Sequence, residues 1–461
     1  MTAGGLRTGK EIADLLEQFE RLRAENEALR GENERFRKEI EEWKRGHRER
    51  GKRRSSRAEG RKKGERKRPG RKAGHAGARR PAPKPDRTVD HPLPKQCECG
   101  GCVSPTDDID RTVVQDIPPV KPENVEHVAR VGRCKKCGRR VVAPLPGAAA
   151  AGAMVAASQL GPNAHALIVN LRYDHRMPMP QISRFLEGWF GMSITPSGIH
   201  HLVTRWRRRS VASYAEIENR VRASPVVGID ETGLRQDGVS GWTWLARTNE
   251  ASLFRVEVSR ASWVAETMLG AEFRGVVCSD FYGVYTAKTD WTHAYCGAHM
   301  IREAKKVAEV SPNESTESFR DDLCDWYVSA KAAQKNGSRA QREAVREQLE
   351  EITTQRVGWY HPDVLRLVER IDRHFEGVTY FLDHRSVPSD NNSTERDIRA
   401  IAAFRRITGG RRSKSGSQNP SHWMSIVQTR EKNGLSMRGY VHDLWWAHQE
   451  GRPPPSVFAS S

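Results

Sequence analysis

Between residues 11 and 44 the side chains repeat with a heptad interval, and that interval admits one local fold, a helix with a seam that must be covered. The a positions are Ile12, Phe19, Asn26, Asn33 and Ile40, and the d positions are Leu15, Leu22, Leu29, Phe36 and Trp43. Glu25, Glu32 and Glu39 at g meet Arg30, Arg37 and Lys44 at the next e position of a partner only when two helices run parallel and in register. An antiparallel pair would set acid against acid and base against base. Asparagine at two a positions weakens the seam but favours a two-stranded, registered coil. A single amphipathic helix packed on its own chain would have no use for these matched flanks. The spacing predicts a parallel homodimeric zipper over residues 1–47.

The segment after the zipper cannot continue it. From Lys44 to Pro92 there are 20 Lys and Arg against 5 Asp and Glu, which leaves only +4 of the chain's +19 for everything else. Glycine and proline are too frequent here for a continuous helix. A linker needs solubility but not this density of one sign, so residues 48–90 read as an arm that orders on a polyanion, with "KRPGRK" able to lie along a minor groove. Its DNA contacts are assigned to Arg53, Arg54, Arg61, Lys62, Lys63, Arg66, Lys67, Arg68, Arg71 and Lys72. Phosphate neutralisation would give them affinity with little sequence preference. A basic region placed after the zipper argues against a basic-zipper factor, in which it comes first.

Five of the eight cysteines cluster between 97 and 137, as "CECGGC" and "CKKC". Thiolates at C-x-x-C spacing let one tight turn offer two sulfurs to a tetrahedral ion. The reading is a structural Zn²⁺ module over 91–146 with ligands Cys99, Cys102, Cys134 and Cys137, and Cys97 as the alternative in the first turn. The alternating stretches "RTVVQDI" and "VEHVARV" between them are expected to be the strands of a zinc ribbon. Cys278, Cys296 and Cys324 are isolated and read as structural.

From residue 147 to 222 the pattern is apolar and helical. "PQISRFLEGWFGMSITPSGIHHLVTRW" has the cadence of a helix-turn-helix, with a turn near Gly191 and a second helix beginning at Pro196. Beyond Arg222 the periodicity becomes mixed α/β. "SPVVGIDETG" reads as an apolar strand ending in Asp230, "GWTWLART" and "SLFRVEVS" as the next two strands of an antiparallel meander, and "ASWVAETMLG" as a helix. "RGVVCSDFYGVY" is a buried strand ending in Asp280, and "WTHAYCGAHMIREAKKVAEV" a strand followed by a helix. A long helical stretch over about 313–385 separates these from "DNNSTER".

Asp230, Asp280 and Glu395 are the catalytic candidates. Carboxylates that converge at strand ends repel one another unless a divalent cation lies between them. Two such cations stabilise the attacking and leaving oxygens of a phosphodiester displacement. Each carboxylate also has an ordinary role available, because an Asp after a strand starts turns and Asn392-x-x-Glu395 fits a variant capping box. The capping box and a metal would compete for one side chain, so Glu395 is expected to face the two aspartates and leave the Asn392 amide to another partner.

Taken together, "VVGIDETG", "GVVCSDFYGVY", "CGAHMIREAKK", "DNNSTERDIR", "FRRITGGRRSKSG" and "QTREKNGLSMRGYVHDL" resemble, in order and spacing, transposases of the insertion sequence 66 family. The zipper, the arm "RPGRKAGHAG", the cysteine module and the helical region resemble that family too. The resemblance implies a multidomain α/β chain with an RNase H-like catalytic core over 223–445, a helical insertion at about 313–385 and a tail over 446–461. It implies Asp230, Asp280 and Glu395 as a DDE triad holding Mg²⁺ or Mn²⁺. It also implies cleavage at the element's ends and transfer of the freed 3′-hydroxyl to target DNA. Arg396, Arg399, Arg405, Arg406, Arg411 and Arg412 are read as further DNA contacts, with pairing of Arg399 to Glu395 as the competing role. Implied partners are double-stranded DNA (terminal repeats and target), a second copy of the chain and accessory transposition proteins. A non-catalytic DNA-binding regulator derived from a transposase, and an RNase H-like nuclease without strand transfer, are the alternatives.

Two positions depart from the family pattern. The first cysteine turn is one residue short at Cys97-Glu98-Cys99-Gly100, with Cys102 extra. Gly297 stands where an aromatic is usual, which is expected to loosen the packing of His299. No run of about 18 apolar residues occurs, and the amino terminus lacks a signal-peptide core, so no membrane partner and a cytoplasmic, nucleoid-associated location are expected.

Overall fold

The computed structural model describes residues 83–118, 120–143, 160–354, 360–409 and 414–459, with Glu20, Arg23, Glu27, Gly31 and Glu34 at the front. Those five positions are helical and exposed. The zipper's a and d positions, the ten arm cations and Arg411 and Arg412 lie outside the described residues. Among the described residues no helix is long and apolar enough to cross a membrane. The chain divides into two compact units, Met1–Ile117 and Pro118–Ser461.

In the first unit the chain turns sharply at the first cysteine group. Cys97 donates its amide to Gly101 O at 2.9 Å, Gly100 donates to Cys97 O at 2.8 Å, and Gln96 bridges Cys102. Gly100 has φ +85°, a conformation that favours glycine. The second unit opens with a short antiparallel hairpin, β1 (Val131–Arg133) and β2 (Arg140–Val142), closed by the second cysteine group. The ribbon strands expected from "RTVVQDI" and "VEHVARV" are not formed; of the described residues in those stretches only Val131 is in a strand. Val113, Val114, Ile117, Val125 and Val128 are all exposed, so their alternation has no buried face to serve.

Four helices come next: α1 (Pro162–Tyr173), α2 (Met179–Phe190), α3 (Pro196–Arg209) and α4 (Val211–Arg222). The expected turn between α2 and α3 is present. Gly191 caps α2 in the left-handed region at φ 63°, and the Thr195 hydroxyl accepts the Gly198 amide to start α3 behind Pro196.

The centre is a five-stranded sheet of order β5-β4-β3-β6-β7. Its strands are β3 (Val226–Gln236), β4 (Val239–Arg247), β5 (Ser252–Glu257), β6 (Val276–Ser279) and β7 (Thr292–Tyr295). β3, β4 and β5 form the antiparallel meander, while β6 and β7 run parallel to β3. The connections are α5 (Ser262–Leu269), α6 (Gly283–Thr286) and, after β7, α7 (Gly297–Val310). The helical stretch then comprises α8 (Glu314–Asn336), α9 (Arg339–Thr354), α10 (Pro362–Arg373), α11 (Phe375–Thr379) and a 3₁₀ turn (Tyr380–Leu382). The last elements are α12 (Asn392–Thr408), α13 (Lys414–Lys432) and α14 (Met437–Gln449).

The sheet separates two cores. Val227, Ile229, Trp244, Ala246 and Leu253 pack with α1, α3, α4, α5, α13 and α14. Val276, Cys278, Ala294 and Tyr295 pack with α7 to α11 around Phe319, Trp326 and Leu367. A smaller cluster of Leu245, Phe254, Ile398, Ile401 and Met424 seats α12 and α13 on β4 and β5. Within it, α13 also completes the outer strand. Its Ser425 hydroxyl accepts the Phe254 amide at 2.8 Å and its Thr429 hydroxyl accepts the Ser252 amide at 3.1 Å. Donors that an edge strand would leave unpaired are thus taken by two side chains one turn apart.

Candidate active site

Asp230 is not at the end of its strand, as the apolar run predicts, but at the fifth of the eleven residues of β3. β4 pairs with β3 along most of its length, so the antiparallel ladder carries the strand on to Gln236. The parallel pairing with β6, however, stops at Gly228 and Cys278. Asp230 therefore lies just past the point where β3 loses β6, and Asp280 directly follows the last residue of β6. Two aspartates at the carboxyl side of adjacent parallel strands is an arrangement in which site residues gather.

Glu395 comes from α12, and the close approach of that helix to β3 depends on a glycine. A Cβ at Gly228 would lie 2.1 Å from Thr394 Oγ1 and 3.0 Å from Asn391 Oδ1. The helix start is pinned at the same place. Asn391, 3% exposed, donates its side-chain amide to Ile229 O at 2.9 Å, one residue before Asp230. Its backbone amide donates to Cys296 Sγ at 3.0 Å, and Gly297 donates to Ser389 O at 3.0 Å. The cap differs from the expected one: it is Asn391, not Asn392, and it makes no side-chain capping bond because that side chain is spent on β3. The Asn392 amide goes to Asp390 Oδ1 at 3.1 Å, so Glu395 is not folded back on it.

Glu395 instead meets cations. Its carboxylate accepts from Arg302 of α7, lies 3.5 Å from His299 Nε2, and pairs with Arg399 at 3.4 Å. The i,i+4 role weighed for Arg399 is thus formed, while Arg396 and Arg406 remain exposed. His299 is held below the usual imidazole value, first by burial and then by Arg302, with Asp280 and Glu395 acting the other way. Asp280 is oriented by accepting the Tyr282 amide at 3.0 Å.

Asp230 reports how near these groups are. Its acid is pushed up to about 7, chiefly by burial, then by the charge of Glu231, with Asp280 and Glu395 adding to it. The Glu231 amide, donating to Asp230 Oδ1 at 2.8 Å, opposes the shift. Glu231 is 4% exposed at its side chain, pairs with Arg260 at 2.6 Å and accepts from the Tyr285 hydroxyl. Arg260 lies between rings, 3.8 Å from the centroid of Tyr282 and 4.3 Å from that of Trp242. Sequence reasoning passed over Glu231, Arg260, Tyr285, Asn391 and Arg302. Glu231, Tyr285, Arg302 and Asn391 lie inside "VVGIDETG", "GVVCSDFYGVY", "CGAHMIREAKK" and "DNNSTERDIR", whereas Arg260 lies in none of the quoted motifs. Among the described residues no three of His, Cys, Asp and Glu are gathered closely enough to grip one ion.

Gly297 does not loosen its surroundings. The ring of Tyr327 on α8 fills the space, with Cε2 only 2.4 Å from where a Cβ would stand. The Tyr327 hydroxyl lies 3.3 Å from Asp390 Oδ2 and 3.4 Å from Ser389 O, on the segment that leads into α12.

One thiol in each cysteine turn, Cys97 and Cys134, is held below its ordinary value. Cys97 is lowered by the Cys99 amide first and then the Cys99 side chain, and Cys134 by the amides of Cys137 and Lys136. Gly138, at φ +69°, donates to Cys134 O at 2.9 Å and suits the second turn as expected.

Fold and site define a mixed α/β protein with two carboxylates past the paired ends of its inner parallel strands β3 and β6 and a third on α12, whose start is bonded to β3. The chain belongs to the transposase IS66 family, whose model matches residues 157–419. It is also similar to the uncharacterized protein y4jO of Sinorhizobium fredii (strain NBRC 101917 / NGR234), 25% identical over 170 residues, 36% of this chain and 51% of that protein. The chain thus spans about half the length of that curated relative.

Proposed function

We propose that the protein is a DNA transposase with an RNase H-like core that cuts the ends of its element and joins them to target DNA, using Asp230, Asp280 and Glu395. The observation that carries this reading is geometric: Asp230 and Asp280 lie just past the last pairing of the adjacent parallel strands β3 and β6, and the start of α12, which bears Glu395, is bonded to Ile229 O. Hard oxygen donors drawn from three distant parts of the chain fit Mg²⁺ or Mn²⁺, which would take over the countercharge role that Arg302 and Arg399 fill at Glu395. Asp230 and Asp280 would hold the ions and Glu395 would complete the set. When bound, the metal supplies Lewis-acid activation of the attacking oxygen and stabilisation of the leaving one.

The chain's own residues do the positioning. Asn391 locks the start of α12 to β3, so Glu395 and Asp230 stay in fixed relation. Arg302 and Arg399 compensate Glu395, and Arg302 must give way for Glu395 to serve as a metal donor. Arg396, Arg405 and Arg406, on α12 beyond Glu395, are suited to hold DNA phosphates. Water breaks the phosphodiester bond at the element end and leaves a 3′-hydroxyl. That hydroxyl then attacks a target phosphodiester, forming a bond to its phosphorus and releasing the target's own 3′-hydroxyl, and no covalent enzyme intermediate is required. The cysteine turns fit Zn²⁺ by their thiolate-favouring hydrogen bonds. Zinc content should fall in Cys134→Ser, measured by elemental analysis.

The test is cleavage of end DNA by purified protein with Mg²⁺. Asp280→Asn and Glu395→Gln should each abolish cleavage and leave DNA binding intact. Retained cleavage in both variants would sink the triad. Joined products in a strand-transfer assay separate a transposase from a nuclease, and binding without any cleavage by the wild type would favour a regulator.

A further inference from the structure

Away from the carboxylates, a recess of about 420 Å³ opens on α3, lined by His201, Thr204, Arg205, Arg208 and Arg209. These positions recur at three- and four-residue intervals and so share one side of the helix. No carboxylate lines the recess. Among the described residues none of its three arginines enters a salt bridge.

Basic residues in a last helical turn often serve the free carbonyls there. That role is already filled by Ser210, whose hydroxyl donates to Trp206 O at 3.0 Å and Arg207 O at 3.2 Å, and whose amide donates to Trp206 O at 3.0 Å. Arg209 is instead held over the Trp206 ring, 5.1 Å from its centroid, with Nη1 buried and unpartnered. Arg205 and Arg209 stand one turn apart, a spacing at which like charges repel. Their charge is felt nearby, since His448 is lowered first by burial and then by Arg209 and Arg205. Thr204 Oγ1 accepts from Asn419 Nδ2 at 2.7 Å. The recess is therefore rich in donors and has no anionic group in its lining.

We infer that it is an oxyanion site that takes a backbone phosphate of duplex DNA. Guanidinium forks match phosphate oxygens in pairs, and α3 is the second helix of the α2–α3 pair. A contact here would position the helix on the duplex without specifying bases. The inference rests on the DNA-binding part of the transposase reading.

The test measures binding of the full-length protein to a labelled duplex by fluorescence anisotropy over a range of salt. Each phosphate contact contributes about 0.9 to the slope of log affinity against log salt. Arg205→Ala/Arg208→Ala should lower that slope by about 1–2, and Arg205→Lys/Arg208→Lys should retain it. Exposed Arg208→Glu gives a second variant should the double alanine protein fail to fold, with circular dichroism as the check. Unchanged slopes in folded variants overturn the site while leaving the transposase reading intact. A reduced slope in the variants of a protein whose wild type binds but never cleaves supports the site and removes the catalytic reading. Inorganic phosphate is the second probe. If it binds the recess, by calorimetry, in a manner lost in the alanine variant while the DNA slopes stay equal, the site serves free phosphate and the DNA assignment fails. No affinity of the wild type for duplex overturns both readings.

Discussion

At the scale of single residues, Asp230 carries a pH-dependent cost of its own. Its folded value of about 7 lies above the ordinary 3.8, so between those values the folded chain holds a proton that the unfolded chain has released. Stability contributed by this group therefore falls as pH rises through that window, and the cost is complete above about 7. It is on the order of 1–4 kcal/mol. Asp230→Asn removes the charge, so the variant should melt above the wild type at pH 8 and converge with it toward pH 4. Mg²⁺ should raise the wild-type melting temperature at pH 8 and have little effect on the variant. A wild type no less stable than Asp230→Asn at pH 8, without metal, contradicts this account. Gly228 offers a second test. Alanine there meets Thr394 Oγ1, and overpacking of this kind costs about 1–3 kcal/mol. Gly228→Ala should destabilise the protein and reduce cleavage, and adding Thr394→Ala should recover part of both losses in a double-mutant cycle.

At the scale of elements, α12 is the part whose placement decides the site, and it is held along its length. Asn391 ties its start to β3, and Asp397 ties its next turn to three other elements. Asp397 pairs with Lys432 of α13 at 2.7 Å and Arg247 of β4 at 3.2 Å, and accepts from Ser252 of β5 at 3.2 Å. Burial draws Lys432 down to about 8 despite that partner. Asp397→Ala would leave two cations in a poorly solvated place, at a cost of about 3 kcal/mol. Denaturant unfolding should register that loss, and a change below measurement error would show that α12 is seated by its apolar face alone. The helical stretch from α8 to α11 also reaches the site, because Tyr327 occupies the space that Gly297 leaves open. Gly297→Ala should therefore destabilise, where a loosely packed glycine would tolerate or gain from alanine.

At the scale of the whole molecule, charge is distributed by segment. Most of the +19 lies between Lys44 and Pro92, so DNA affinity of the full chain should fall steeply with salt. Deleting residues 1–44 should give a monomer in sedimentation with weakened pairing of two DNA ends. An unchanged oligomeric state would refute the zipper.

The sequence by itself determined the elements of the centre and named its candidate carboxylates. Apolar runs marked β3 to β7 in order, Gly191 and Pro196 marked the turn between α2 and α3, and the motifs "IDET", "SDFYGVY" and "DNNSTER" carried Asp230, Asp280 and Glu395. These are local signals, written in spacing and turn chemistry. Tertiary structure alone decided the rest. Asp230 sits mid-strand because β4 prolongs a ladder that β6 abandons, and pairing length cannot be read from one strand's own pattern. Val113 and Val125 lie in alternating stretches, yet they stay exposed and outside any strand, since alternation forms a strand only against a partner. Asn391 rather than Asn392 caps α12, because a hydrogen bond to Ile229 outcompetes the local cap. Glu395 meets Arg302, 93 positions away in the chain, through the packing of α7 beside α12. Distance between charges on separate elements is a property of packing, and no single element's pattern carries it.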